Sequence, residues 1–391
     1  MLNFLTAGES HGKALIGIIE GMPANLSLSS NDIDPELKRR QSGYGRGGRM
    51  KIESDHAVIL SGVRWGKTIG SSITLLIENR DFNNWAEGMS VDASQAGSIP
   101  PVTRPRPGHA DLVGAIKYNQ RDIRNILERS SARETAMRVA LGAVAKRFLS
   151  EFNIRVGSFV IQIGKEKVDI RTHDLSEDEL LDIFNKAEAS QVRCPDKDVT
   201  DRMVNIIEEA IKRGDSLGGV FVVFAVGLPV GLGSHIQWSR RLDGRLAQAI
   251  MSIQAIKGVE VGSGFKMSGS FGSEVMDEIF YRSGSSFYRK TNHAGGIEGG
   301  MTNGMPLIIK AAMKPIPTLR RPLRSVDIIT KEQIEAAYER SDVCAVPAAS
   351  VIGEAMVALI IADAFLEKFG GDSLEEVKSN HKAYIEYLNS L

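Results

Sequence analysis

Ser131-Ala132-Arg133-Glu134-Thr135-Ala136-Met137-Arg138-Val139-Ala140-Leu141-Gly142-Ala143-Val144-Ala145-Lys146-Arg147-Phe148-Leu149 is the stretch on which the architecture turns. Its first four residues fit a capping box, in which Ser131 and Glu134 would each satisfy a backbone N–H of the other's turn. Behind the box Met137, Leu141, Val144 and Phe148 recur at helical spacing. Ala132, Ala136, Ala140 and Ala143 leave one side thin, so neighbouring elements can approach closely. Further helices are expected at Ser176–Glu179 onward, from Thr200 to Arg213 with Gly214 as the stop, from Asp243 to Ile256, and from Ala348 to Phe369. Short β-branched runs at Ala57 to Ser61, Ile73 to Ile77, Arg155 to Ile163 and Gly219 to Val226 predict strands. Strands come in runs followed by pairs of helices, which favours an α+β fold over a doubly wound sheet. With no fixed-period repeat and no Pro/Ser-rich linker, residues 1–391 read as a single domain.

The 48 Lys+Arg balance 48 Asp+Glu, and 42% of residues are hydrophobic. Disorder is excluded by that apolar content, and bulk attraction to nucleic acid or anionic membrane by the neutral charge. Cys194 and Cys344 are too few for a disulfide framework or a cysteine zinc site, and no His/carboxylate spacing suggests a metal. Met1 to Thr6 lacks the basic and apolar regions of a signal peptide, so cytoplasmic residence is expected. Val220 to Leu232 is too short to span a bilayer, and Ala348 to Phe369 carries Glu354 and Asp363. Both read as buried core.

Two motifs imitate better-known sites. Gly8-Glu9-Ser10-His11-Gly12 matches the nucleophile elbow of serine hydrolases, but only seven residues precede it and a β-like run, not a helix, follows. Gly62-Val63-Arg64-Trp65-Gly66-Lys67-Thr68 is one residue short of a P-loop and leads into a strand, so it reads as a hairpin turn.

The chemistry-bearing pattern is arginine in glycine- and proline-rich loops. Arg39, Arg40, Arg46 and Arg49 flank Gly43, Gly45, Gly47 and Gly48; Arg104 and Arg106 sit among four prolines; Arg320, Arg321 and Arg324 follow Lys314-Pro315-Ile316-Pro317-Thr318. Guanidinium forks match carboxylate and phosphate geometry, so a small ligand with several anionic groups is the favoured partner over solvated surface charge. Arg129-Ser130-Ser131 stands at the expected helix N-terminus, where a cofactor phosphate fits. His11 and His109 lie beside glycines near these loops, where an acid–base group belongs. Asp342 precedes the small-residue helix and reads equally as an ordinary N-terminal acid. The turn-dense Asn292 to Gly300 loop is by itself only a loop.

Taken together, Gly8 to Gly12, Arg106-Pro107-Gly108-His109-Ala110-Asp111, Arg129 to Thr135, Lys257-Gly258-Val259-Glu260, the Gly295 to Gly304 loop, Lys314 to Thr318 and Arg340-Ser341-Asp342 closely resemble one family. It is chorismate synthase, in its monofunctional, bacterial-type form. The resemblance implies a β-α-β sandwich, assembled as a homotetramer (a dimer of dimers). It implies a lyase that converts 5-enolpyruvylshikimate 3-phosphate to chorismate by anti-1,4-elimination, the last step of the shikimate pathway. Reduced FMN is needed without being consumed; NADPH is expected only as its reductant, with a separate flavin reductase as a further partner. Carried over by position, His11 would protonate the departing phosphate, His109 would protonate or polarise the reduced flavin near N1, and Asp342 would act through flavin N5 to take up the C6 proton. Arg40, Arg46, Arg106, Arg133 and Arg340 would hold substrate anions, with Arg40 and Arg46 also credited with NADP and Arg340 also counted toward the cofactor. Arg129, Ser130, Ser131, Gln254, Ala255, Gly299, Lys314, Pro315, Ile316, Pro317 and Thr318 would hold FMN. The competing classes are a serine hydrolase acting through Ser10 and a non-catalytic anion- or RNA-binding module using the Arg/Gly loops.

Overall fold

The helix Thr135–Ser150 lies between two antiparallel sheets, packed against strands of both. Its Met137, Leu141, Val144 and Phe148 are all fully buried. The computed structural model describes residues 2–46, 54–282, 286–339 and 341–391. Arg340 and the 47–53 part of the first arginine loop lie outside them.

One sheet has four strands in the order Asn3–Ala7, Ala14–Glu20, Ile73–Glu78, Val58–Ser61. The other has five, in the order Ile256–Val261, Leu307–Met313, Gly219–Val226, Arg155–Ile163, Glu166–Lys167. Ser30–Gln41, Thr135–Ser150 and Val346–Phe369 fill the space between them. This is a mixed α+β, sheet–helix–sheet sandwich, as the alternating runs of strands and helices predict. Gly219–Val226 is apolar throughout because both its faces are covered. Phe221 and Val223 meet the helix Val346–Phe369 at Gly353, while Val222 and Phe224 pack outward with Leu180 and Ala187 of the helix Glu177–Glu188. Val346–Phe369 is long and apolar enough to cross a membrane, yet nearly all of it is buried inside the protein. It is a core helix.

The near-P-loop is the expected hairpin, with Val63–Arg64 paired to Lys67–Thr68. Both thiols are buried and free, and burial pushes Cys344 up to about 12, where it stays protonated. Two local expectations need correction. The capping box at Ser131 forms only in part: Ser131 Oγ accepts from the Arg133 N–H at 3.3 Å, at the head of a short 3₁₀ turn. Glu134 instead accepts from Thr6, Arg138 and Gln254, because tertiary donors compete for a buried carboxylate. The helix expected over Asp243 to Ile256 runs only over Leu242–Met251, since Ala255 adopts the left-handed conformation (φ 67°) and Ile256 opens a strand.

Candidate active site

The loop after the first strand is closed by Gly8, whose φ of 104° and 2.3 Å approach of its ideal Cβ position to the Ala14 carbonyl admit no side chain. Asn79 donates from Nδ2 to the carbonyls of Gly12 (2.7 Å) and Glu9 (3.1 Å), pinning the loop to the end of Ile73–Glu78. Ser10 is thereby buried, with its hydroxyl 3.2 Å from that of Ser131. His11 meets Glu128 and Trp85. Its Nδ1 is 2.8 Å from Glu128 Oε1, its backbone N–H donates to Glu128 Oε2 at 2.8 Å, and its ring lies 4.2 Å from that of Trp85.

Asn79 also accepts, at Oδ1, from Arg133 Nε (2.9 Å), and Arg133 Nη1 reaches Asp55 Oδ1 at 2.6 Å. Arg40 stands 3.6 Å from the other Asp55 oxygen and donates to Thr135 Oγ1 and the Ala132 carbonyl. Arg46 pairs with Asp342 at 2.7 Å. Three guanidinium groups therefore gather around two carboxylates. Burial, reinforced by the neighbouring charges of Arg46 and Arg133, pushes Arg40 down to about 9. Three guanidinium groups over two carboxylates leave one positive charge in excess, the condition for binding a polyanion.

His109 has the same arrangement as His11. Its Nδ1 is 2.5 Å from Asp111 Oδ1, in a side chain 1% exposed. Burial alone would raise Asp111, but the hydrogen bonds and charges of His109 and Arg106 outweigh it and hold the carboxyl well below its usual range. Arg106 grips Asp111 through Nε (2.8 Å) and Nη2 (3.0 Å) and donates from Nη1 to Thr318 Oγ1 (3.0 Å). Lys314 Nζ donates to the Gly108 carbonyl, and Lys314 N–H to that of Ala255 at 2.9 Å. The His109 loop, the Lys314 to Thr318 segment and Gln254-Ala255 thus meet at one place.

From there hydrogen bonds continue to Arg129. Gln254 Nε2 and Thr6 Oγ1 donate to the two oxygens of Glu134 at 3.3 and 2.8 Å, and Arg129 donates to Thr6 and to the Gly8 carbonyl. Gln254 Oε1 is buried without a hydrogen-bond partner among the described residues. Such an acceptor is open to a ligand N–H. Ser130 ends the short helix Arg124–Ser130, while Ser131 caps the 3₁₀ turn Ala132–Glu134 that leads into the helix Thr135–Ser150. Gly299 is the exception to this convergence. It forms, with Gly300, the turn between Ile297–Glu298 and Met301–Thr302, and the Gly300 carbonyl accepts from Leu242 at the head of the helix Leu242–Met251, whereas Gln254 lies beyond that helix's other end. Arg340 lies outside the described residues.

The sequence reading passed over Glu128, Asp55, Asn79 and Trp85, and gave Asp111 no role. Asp111 carried a signal, being two residues from His109 and five from Arg106. The others reach the site only through tertiary packing. Among the described residues no group of three or more His, Cys, Asp or Glu could hold a metal ion.

The model of a family described as chorismate synthase matches residues 2–366. Proteins named chorismate synthase from Aquifex aeolicus and Geobacter sulfurreducens are each 59% identical, over all of this chain and 98% and 100% of their own lengths. A crystal structure of chorismate synthase superposes with a TM-score of 0.82 at 49% identity, covering 100% of this chain and 99% of that one. Arginine cluster, paired histidines, fold and whole-length likeness all point the same way: the chain belongs to the chorismate synthase family.

Proposed function

We propose that this chain eliminates phosphate and the C6 hydrogen of 5-enolpyruvylshikimate 3-phosphate in the anti-1,4 sense to give chorismate, the last step of the shikimate pathway, with reduced FMN as cofactor. The observation that carries this reading is the Arg40–Arg46–Arg133 cluster, with its excess of charge over Asp55 and Asp342, on the same loop framework as His11. A substrate with two carboxylates and a phosphate supplies the missing negative charge. Arg40, Arg46 and Arg133 bind it, with Arg340 as a further anion ligand. His11 gives the proton at Nε2 to the departing phosphate, since Nδ1 is committed to Glu128. Asp342, oriented by Arg46, is the final acceptor of the proton from C6. Arg106 is committed to Asp111 and Thr318, so we assign it to holding His109 in place as well as to the anionic environment.

Arg129, Ser130, Ser131, Gln254, Ala255 and the Lys314 to Thr318 segment would hold FMN, a fit supported by the partnerless acceptor Gln254 Oε1 and by the cations Arg129 and Lys314 around it. Gly299 would join them only from a turn at the far end of the helix Leu242–Met251. Reduced FMN, when bound, supplies electron density to the substrate ring as phosphate leaves. His109, with Nδ1 on Asp111, holds a proton at Nε2 toward the cofactor. NADPH and a separate reductase serve only to keep flavin reduced.

The outer face of the four-stranded sheet supports self-association. Leu5, 76% exposed, is paired with Ile18, and Ile16, Val58 and Leu60 extend the apolar patch. A patch of this kind marks an interface, in keeping with a dimer of dimers. One core running from Leu2 to Val377 supports reading 1–391 as one domain, and a neutral, disulfide-free chain suits the cytoplasm. The test is an anaerobic assay with dithionite-reduced FMN and the enolpyruvyl substrate. Chorismate absorbance should grow with reduced but not with oxidised FMN; its failure to appear with either overturns the reading.

A further inference from the structure

Glu128 is 2% exposed and touches His11 twice. Oε1 takes the ring at Nδ1 and Oε2 takes the backbone N–H, both at 2.8 Å, while the Glu128 carbonyl accepts from Ser10 N–H at 3.0 Å. The far side of the His11 ring is bounded by Trp85, over which Arg124 lies with its guanidinium carbon 4.8 Å from the ring centroid. Arg124 also stands 3.5 Å from Glu128 and 3.9 Å from Glu339. Burial would favour a protonated Glu128, but His11 and then Arg124 reverse that and lower its pKa.

We infer that Glu128 is the positioning residue that makes His11 a proton donor at one atom: the carboxylate holds a proton on Nδ1, so the exchangeable proton of the imidazolium is the one on Nε2. The inference rests on the reading of His11 as the acid for phosphate departure. An ionised carboxylate can only accept hydrogen bonds, so neutral His11 carries its hydrogen on Nδ1 and its lone pair on Nε2. The same negative charge lies against the ring at Nδ1 and favours the imidazolium over the neutral ring, the form that can give up a proton at Nε2. Because Oε1 and Oε2 hold ring and backbone of a single residue, the ring's distance from the loop and its rotation are fixed together.

The test uses Glu128→Gln and Glu128→Asp in the full chain. In Gln one carboxylate oxygen becomes an NH₂ group, so one of the two His11 contacts must be lost or the tautomer reversed. We expect kcat to fall about 10²-fold or more in Glu128→Gln, as for a misassigned general acid, with KM within about threefold of wild type. The falling limb of the kcat–pH profile should move to lower pH, because the acid loses the charge that kept it protonated. Glu128→Asp keeps the charge, so its limb should move less even where its rate falls. In a His11→Ala background Glu128→Gln should add less than about threefold. Histidine ring NMR of the apo protein, with the His11 signal identified by its loss in His11→Ala, should show Nδ1–H in the wild type. A Glu128→Gln variant with wild-type kcat and an unmoved limb, a full additional loss in the His11→Ala background, or Nε2–H in wild-type His11 would each overturn the inference. If His11→Ala itself turns over at the wild-type rate, the acid assignment fails first and this inference with it, while chorismate formation by the wild type still stands as a separate result.

Discussion

His11 is assigned to proton transfer and Arg46 to substrate binding, so their alanine variants should fail in different ways. His11→Ala should lower kcat by about 10²–10⁴ and leave KM nearly unchanged, the pattern of lost proton transfer. Arg46→Ala removes a cation that an anionic group on the substrate would meet, so KM should rise by the equivalent of about 1.5–3 kcal/mol. Steady-state kinetics in both parameters separates the two, and a pure KM effect in His11→Ala would refute its assignment. At this scale the sequence shows the cations and histidines, which advertise themselves in Gly/Pro loops. It hides Glu128, Asp55 and Asn79, whose partners stand 117, 78 and 54 residues away.

The helices Thr135–Ser150 and Val346–Phe369 touch most closely where Gly142 meets Ala355. A Cβ on Gly142 would lie 2.3 Å from the Ala355 Cβ and 2.5 Å from its Cα. Alanine would add about 1 kcal/mol of helix propensity, but the clash is with a helix backbone that cannot rotate away. Overpacking should win, and Gly142→Ala should be destabilised by about 1–3 kcal/mol, read as a lowered urea midpoint. An unchanged or raised midpoint would mean the two helices are freer to separate than the packing implies. Element identity was legible wherever periodicity ran uninterrupted: Arg155–Ile163 and Gly219–Val226 begin and end as the β-branched runs do. It failed where one backbone angle decides the outcome. Nothing in Ser252-Ile253-Gln254-Ala255-Ile256 announces that Ala255 will take a positive φ, because Lys314 bonding to its carbonyl comes from a distant strand end. The thin alanine side of the first helix was visible, but its closest contact proved to be a glycine.

Between the two sheets the molecule encloses a carboxylate. Glu354 is fully buried in a mostly apolar helix, gripped by Arg39 through both Nη atoms at 2.8 Å, by Arg193 at 3.0 Å, by Ser158 at 2.5 Å and by Lys146. Burial would raise it, but Lys146, Arg39 and Arg193 hold it well below the usual carboxylate range. A depressed folded pKa contributes stability that is complete above the unfolded value, about 4.3, and is lost as pH falls below it. Glu354→Gln removes the buried counter-charge shared by Arg39, Arg193 and Lys146, which keep Glu36 and Glu188 as partners, and should cost about 3 kcal/mol at neutral pH. Its stability should also fall less steeply below pH 4.5 than that of the wild type, as equilibrium unfolding at several pH values would show. Parallel profiles would exclude Glu354 from the acid response. The sequence showed this residue only as a charge inside an apolar run, since Arg39 lies 315 residues away. At the scale of the whole molecule the sheet–helix–sheet layering ties the Gly8 to Gly12 loop, Asn79, Arg129, Arg133 and Gln254 together through shared hydrogen bonds. The central claim is that this site eliminates phosphate with a cofactor returned unchanged, and counting turnovers tests it most directly. With a fixed, limiting amount of reduced FMN under strict anaerobiosis and excess enolpyruvyl substrate, the account predicts many chorismate molecules per flavin, with the flavin still reduced at the end. One chorismate per flavin, with the flavin oxidised in step, would contradict it.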